Sequence, residues 1–359
     1  MTTEAQTPAT GQPDTPTTAT AGTLGVVIGK FLPPHRGHSL LIDTARAGCD
    51  HLLVIVCARD TDPIPASARA DMLREIHPGV SVMVTPDDIA DHDAECRAEQ
   101  ISGAWAERTR RLCLAGFGRR PEVVFTSEEY GPRYARILGA RHVSVDPGRV
   151  RVPISGTMVR ANPWSAWDQL HPCVRAWYTI RVCVVGAEST GTTTLARDLA
   201  ARYDCDWVPE YGRTFCEERL AAGQRIDWRT EDFVHIARRQ QANEDAAARA
   251  GGWLLICDTD ALATSIWHQR YLGTRSAEVA AIAMSRRYAL YLLTGDDIPF
   301  VQDGTRDGEH VRGWMTQRFR EELAARALPW VEVTGSRARR LASATAHVDA
   351  LLASGPTAR

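Results

Sequence analysis

Two successive α/β domains, each a parallel sheet flanked by helices, are predicted by three features of this 359-residue chain. Short apolar runs alternate with helix-period segments along most of its length. Two glycine-bearing turns stand at strand-to-helix junctions. A Trp/Pro-rich segment separates two such series. The length is also generous for one core and suits two. Alternation of strand and helix favours parallel sheets with helices on both faces. Such sheets bind ligands outside the carboxyl ends of their strands.

The first series has candidate strands Leu24–Ile28, Leu52–Val56, Val80–Val84, Val123–Phe125 and His142–Val145. Between them lie candidate helices His38–Ala47, Ala66–Ile76, Ala94–Leu114 and Arg133–Leu138. The first helix shows helical spacing of Leu40, Leu41 and Ala45. Residues Asn162–Tyr178 carry three tryptophans and two prolines and read as a connecting helical segment. The second series opens at strand Ile180–Val185 and continues through Cys205–Val208, Leu254–Cys257, Leu290–Leu293 and Trp330–Val333. The expected organisation is a disordered tail at 1–23, a first α/β domain at 24–175 and a second α/β domain at 176–359.

Composition narrows the function. A net charge of −2 gives no bulk attraction for nucleic acid or an anionic membrane. No apolar run is long enough to span a bilayer, and 1–23 is Thr/Pro/Ala-rich without an apolar core. The nine cysteines are scattered, with no C-x-x-C and no zinc spacing. Reduced thiols and a cytoplasmic location are the expectation. Of the 42 Lys and Arg residues only Lys30 is lysine. A GC-rich coding background accounts for the bias, and Lys30 is either a chance survivor or a compact ammonium required where it stands.

The first turn reads Gly29-Lys30-Phe31-Leu32-Pro33-Pro34-His35-Arg36-Gly37-His38. A strand precedes it and a helix follows, so backbone N–H groups converge where the helix dipole favours an anion. Gly37 admits close approach of a ligand. His35 and His38 can donate to phosphoryl oxygens as charge develops. Near the end of the same series stands Ile154-Ser155-Gly156-Thr157-Met158-Val159-Arg160. There Ser155 or Thr157 caps a helix facing phosphate, and Arg160 reaches the leaving pyrophosphate bidentately. Alone, that stretch reads as an ordinary N-cap with a solvated arginine; paired with the first turn, it reads as the far wall of one site. The resemblance of both stretches to nucleotidylyltransferase motifs implies attack by a substrate phosphate on the α-phosphate of ATP, with Lys30 and Arg160 neutralising the triphosphate. His38 lies nearest the transferred group, and Gly29, Phe31, Gly37, Ser155 and Thr157 line the ATP.

The second turn reads Gly186-Ala187-Glu188-Ser189-Thr190-Gly191-Thr192-Thr193-Thr194. Its glycines have P-loop spacing, so Gly186, Glu188, Ser189, Thr190, Gly191, Thr192, Thr193 and Thr194 are candidate ATP contacts. Thr193 stands where a hydroxyl holds Mg²⁺, but Thr192 stands where lysine belongs. Three readings follow: an intact kinase whose charge comes from Arg306 or Arg312, a site that binds nucleotide with little or no transfer, or a plain Gly/Thr turn. Strand-end Asp258 is a second Mg²⁺ ligand and catalytic candidate, with Asp260 on substrate; an Asp pair capping the next helix is the commoner use of such residues. Glu210, in Pro209-Glu210-Tyr211-Gly212-Arg213, is a candidate base or ribose ligand, with Arg213 on substrate. Asp296–Arg306 is a polar loop able to close over phosphates.

The first turn matches the G-x-F-x-P-x-H-x-G-H signature of nucleotidylyltransferases, and Ile154–Arg160 resembles their closing I-S-x-T-x-x-R motif. Joined to a P-loop domain, the chain from about Leu24 to Leu352 resembles the NadR-type bifunctional family. Phe125-Thr126-Ser127-Glu128-Glu129-Tyr130-Gly131, Pro209–Arg213, Cys257–Asp260 and Ile298–Arg306 share the likeness. The resemblance implies adenylyl transfer to nicotinamide mononucleotide in the first domain and phosphorylation of nicotinamide riboside in the second. ATP and Mg²⁺ would serve both, and the partners are small molecules, with no nucleic acid, no membrane and homo-oligomerisation left open. Only 23 residues precede the first strand, too few for the helix-turn-helix of some members, so no repressor role is implied. Two alternatives stand beside this: an adenylyltransferase for another phosphorylated acceptor such as phosphopantetheine, and a second domain that senses nucleotide instead of transferring phosphate.

Overall fold

The computed structural model describes residues 22–89, 95–302 and 308–354, with only the backbone of 95–102. It divides into two compact units, at 1–161 and 162–358. The expected tail at 1–23 lies outside the described residues up to 21, as do the first residue of the candidate helix at Ala94 and Arg306.

The first unit runs β1 (Leu24–Gly29), α1 (Arg36–Ala47), β2 (His51–Ala58), α2 (Ala66–Ile76), β3 (Ser81–Pro86), α3 (Glu95–Phe117), β4 (Val123–Thr126), α4 (Gly131–Leu138), β5 (Arg141–Ser144) and α5 (Gly156–Ala161). Its five strands are parallel, in the order β3-β2-β1-β4-β5. Alternate residues of β1 and β2 feed opposite faces. Val27, Leu52, Val54 and Val56 join one core; Val26, Leu53 and Ile55 join the other. Burial on both faces explains why these strands read as unbroken apolar runs. The chain order reverses on either side of β1, so the turn after β1 opens at the switch point of the sheet.

The second unit begins with a 3₁₀ turn (Trp164–Gln169) and α6 (Pro172–Tyr178). It continues through β6 (Ile180–Gly186), α7 (Thr192–Tyr203), β7 (Asp206–Val208), α8 (Tyr211–Ala221), α9 (Thr230–Ala250), β8 (Leu254–Asp258), α10 (Ala261–Leu272), α11 (Ala277–Met284), β9 (Leu290–Thr294), α12 (Arg312–Ala325), β10 (Trp330–Val333) and α13 (Arg337–Ala353). The sheet is parallel, ordered β10-β9-β6-β8-β7. The units divide after Ala161, earlier than the expected boundary at Ala176. The tryptophan-rich segment packs on the second unit: Trp164 lies 5.5 Å from Trp253, Trp167 Nε1 donates to Gly251 O, and Thr179 Oγ1 donates to Ala248 O.

Candidate active sites

In the first unit the β1–α1 turn and the start of α5 line one cavity of about 940 Å³. It brings together Gly29, Lys30, Phe31, His35, Gly37, His38, Ser155, Thr157 and Arg160, residues drawn from both ends of the series. His35 is the N-cap of α1, and its Nδ1 accepts from His38 N–H at 3.4 Å. That leaves the His35 proton on Nε2. The two imidazoles stack at 3.7 Å, with Phe31 edge-on to His38 at 4.9 Å. Burial, then His35 and Arg149, hold the His38 pKa well below its usual range, so the ring is neutral at pH 7. Its Nδ1 is buried without a hydrogen-bond partner among the described residues.

Ser155 Oγ accepts from Met158 N–H at 3.2 Å, so Ser155, and not Thr157, caps α5. Arg160 ties the closing motif to the first turn: Nη1 donates to Leu32 O at 2.6 Å and Nη2 to Thr157 Oγ1 at 3.2 Å. Lys30 Nζ sits 3.3 Å from Asp87 Oδ2, which also meets Arg59 Nε at 2.8 Å. Fully buried Arg69 donates to Lys30 O and to Cys57 O, fixing the backbone beneath the lysine. Arg59, Trp105, Arg133 and Arg149 also line the cavity. The sequence alone does not single these out: Arg59 follows β2, Trp105 stands in α3, Arg133 in α4 and Arg149 beyond β5, and no local motif marks them.

In the second unit the P-loop stands between β6 and α7. Ser189 has φ +58° and Gly191 φ +84°, left-handed conformations that turn successive N–H groups toward one concavity. A Cβ on Gly186 would lie 2.1 Å from Thr294 Oγ1, so only glycine fits there. Asp258 ends β8; its Oδ2 accepts from Thr193 Oγ1 at 2.6 Å, and its Oδ1 is buried without a partner among the described residues. Burial pushes the Asp258 carboxyl up to about 6, against the pull of the Thr193 and Thr192 hydroxyls and of Arg213.

A cavity of about 190 Å³ is lined by Gly186, Glu188, Ser189, Gly191, Thr192, Thr193, Thr194, Glu210 and Arg213. Trp228, Phe233, Trp267 and Tyr271 form an aromatic wall in which Trp228 stacks on both Phe233 and Tyr271. Gln240 is buried there; its Oε1 accepts from Tyr211 N–H, which turns its Nε2, without a partner among the described residues, the other way. The sequence offered no signal for this wall beyond scattered aromatics.

Three expected contacts fall elsewhere. Asp260 is buried: its Oδ1 caps α10 through Ala263 N–H, and its Oδ2 accepts from Tyr291 OH. It is therefore a core residue and not a substrate ligand. The Thr190 hydroxyl is fully buried, bonding Ala187 O within the loop and Thr294 Oγ1 at the end of β9. Arg312 spends Nη2 on Ser189 O and Ile298 O, bracing the P-loop instead of entering it. Arg306 lies outside the described residues.

Comparison with known proteins agrees with this fold. Residues 26–162 match the cytidylyltransferase-like family model, and residues 181–340 match an AAA domain. The trifunctional NAD biosynthesis/regulator protein NadR of Escherichia coli K12 is 30% identical over 298 residues, covering 79% of this chain and 72% of that protein. The chain belongs to the NadR family. The NadR protein of Salmonella typhimurium LT2 is likewise 30% identical, covering 79% and 71%. A crystal structure of a NadR protein in complex with NR shares the fold at TM-score 0.71 and 20% identity, covering 93% of this chain and 97% of that one. A second NadR structure, with NAD and AMP-PNP, aligns at TM-score 0.68 and 21% identity, covering 92% and 96%.

Proposed function

We propose that this chain makes NAD in two ATP-dependent steps: the second unit phosphorylates nicotinamide riboside and the first adenylylates the resulting mononucleotide. The observation that carries this reading is the pairing, in one NadR-family chain, of a histidine–arginine phosphate cavity with a P-loop cavity walled by aromatics. The NadR structures named above with NR and with NAD and AMP-PNP support the ligands.

In the first cavity a phosphate oxygen of the mononucleotide attacks the α-phosphorus of ATP, and pyrophosphate leaves with the electron pair. No covalent enzyme intermediate is needed; the protein positions and neutralises. His35 donates from Nε2. His38, neutral and pressed against His35 and Phe31, presents its imidazole to the transferred group. Lys30, Arg59 and Arg160 neutralise the triphosphate.

In the second cavity the pyridinium ring of the riboside, a cation, stacks in the aromatic wall. Glu188, Glu210 and Glu217 add negative charge around it. Glu210, at the N-cap of α8, takes the proton of the attacking hydroxyl. Thr193 and Asp258 are hard oxygen donors, and the partnerless Asp258 Oδ1 suits Mg²⁺, which would share its remaining positions with nucleotide phosphates. When bound, the ion would screen the negative charge of those phosphates.

Purified protein supplied with ATP and nicotinamide mononucleotide is expected to yield NAD and pyrophosphate. With ATP and nicotinamide riboside it is expected to yield the mononucleotide. Adenylylation of a different phosphate instead would overturn the first substrate. One feature favours a second reading of the P-loop unit as a nucleotide sensor, namely Thr192 in the lysine position. Phosphate transfer to the riboside rejects that reading.

A further inference from the structure

A P-loop lysine reaches the β- and γ-phosphates during transfer, and this loop has Thr192 there. We infer that Arg213 supplies the missing charge, as a catalytic residue that holds the transferring phosphate of ATP. The inference rests on the kinase reading of the second unit.

Arg213 is the one cation among the described residues lining the second cavity, which also holds the carboxylates Glu188, Glu210 and Glu217. A magnesium–ATP complex is still an anion, so it needs a cation inside that ring of carboxylates. Three other arginines around the loop, none of them lining the cavity, are held by backbone carbonyls, rings or a carboxylate. Arg312 and Arg340 donate to backbone carbonyls: Ser189 and Ile298 for the first, Thr190, Gly295 and Gly335 for the second. The Arg270 guanidinium lies over Trp267 and Tyr271 and pairs with Glu188.

Arg213 stands in the first turn of α8, just after Glu210. That turn is pinned to α9, because Gln240 Oε1 accepts from Tyr211 N–H at 2.9 Å. A guanidinium on a fixed helix turn can approach phosphoryl oxygens with two parallel N–H donors. The charge of Arg213 also reaches Asp258, whose carboxyl it helps hold down, at the end of β8 where Thr193 bonds.

The riboside hydroxyl oxygen attacks the γ-phosphorus and forms the new O–P bond. The bond from that phosphorus to the β,γ-bridging oxygen breaks, ADP leaves with the electron pair, and the hydroxyl proton passes to Glu210. Charge grows on the bridging and γ-oxygens, where Arg213 donates.

The test uses the full chain with Arg213→Met and Arg213→Gln, each alone and combined with Thr192→Lys. Riboside phosphorylation is expected to lose about 10²–10³-fold in kcat. The KM for riboside should stay within about threefold, while affinity for magnesium–AMP-PNP falls roughly tenfold. Adding Thr192→Lys is expected to restore at least about tenfold of the lost kcat, since the lysine returns charge to the same phosphates. A substitution that merely loosens α8 would not be rescued from the P-loop, so absence of rescue in both backgrounds overturns the inference. So does unchanged kcat with unchanged AMP-PNP affinity, or an effect confined to the KM for riboside. A wild-type chain that binds magnesium–AMP-PNP but transfers no phosphate overturns the kinase reading alone; the AMP-PNP affinities then decide the role of Arg213.

Discussion

The two phosphate sites solve one electrostatic problem by different means. The first cavity puts Lys30, Arg59, Arg133, Arg149 and Arg160 around its ligand, anchored by carboxylates such as Asp87. The second relies on a left-handed turn of backbone N–H groups at Ser189 and Gly191, a hydroxyl–carboxylate pair at Thr193 and Asp258, and one lining cation among the described residues. A cation-rich wall suits transfer between two anions, a mononucleotide and a triphosphate. A carboxylate-rich, aromatic wall suits a cationic acceptor. Side-chain charge in one site is thus replaced by backbone dipoles in the other, and the acceptor's own charge explains the difference.

His38→Ala should separate the sites most sharply. Loss of a positioned donor costs about 10²–10³-fold, so NAD formation should fall by that factor while riboside phosphorylation persists. Equal loss in both assays would contradict two independent sites. Glu210→Gln is the converse variant: removing a general base should cost the kinase about 10²-fold and leave adenylyl transfer intact. A smaller effect sharpens the account of acceptor charge. Trp267→Ala removes one face of the aromatic wall and should weaken riboside binding roughly tenfold, with less effect on an uncharged nucleoside. Equal weakening of both would mean that the wall reads shape and not charge.

Most of the scaffold was legible from apolar alternation, because strands buried on both faces have no polar face to blur the pattern. The expected strand Leu254–Cys257 lies within β8, which is buried throughout, and the helix Ala66–Ile76 falls where the pattern placed it. Both phosphate turns were legible because the chemistry is local: strand, glycines and helix N-terminus lie within ten residues or so of each other. Side-chain direction was not. Asp260 follows a strand end and Arg312 a polar loop, as ligands would, yet one caps α10 from the core and the other braces Ser189 from outside the cavity. Arg59, Asp87 and Gln240 were invisible for the opposite reason: each belongs to a site only because the sheet order carries a distant strand or helix to it. The unit boundary was misplaced because the grip of Trp164 and Trp167 on Trp253 and Gly251 is a tertiary fact.

The finest expected distinction is the sign of each unit's response to pH. Burial holds His38 well below its usual 6.5, so the unfolded chain binds a proton near pH 6.5 that the folded first unit refuses. Its contribution to stability is therefore lost as pH falls below about 6.5. Glu244 on α9 behaves oppositely. Fully buried, it accepts from Tyr288 OH at 2.8 and 2.9 Å and pairs with Arg286 at 3.2 Å, yet burial outweighs both and lifts it from 4.5 to about 7. The folded second unit keeps a proton that the unfolded chain releases near 4.5, so this contribution is lost as pH rises from 4.5 toward about 7. One proton changes stability by at most about 1.4 kcal/mol per pH unit. Trp105 is the only one of the ten tryptophans before residue 162, so tryptophan fluorescence follows mainly the second unit during urea unfolding. Between pH 4.5 and 7, Glu244→Gln should flatten the pH dependence of that transition, because the amide still accepts from Tyr288 but does not titrate. A slope equal to wild type would show that the Glu244 carboxyl does not carry the effect, and the contrast in sign between the two units would fall with it.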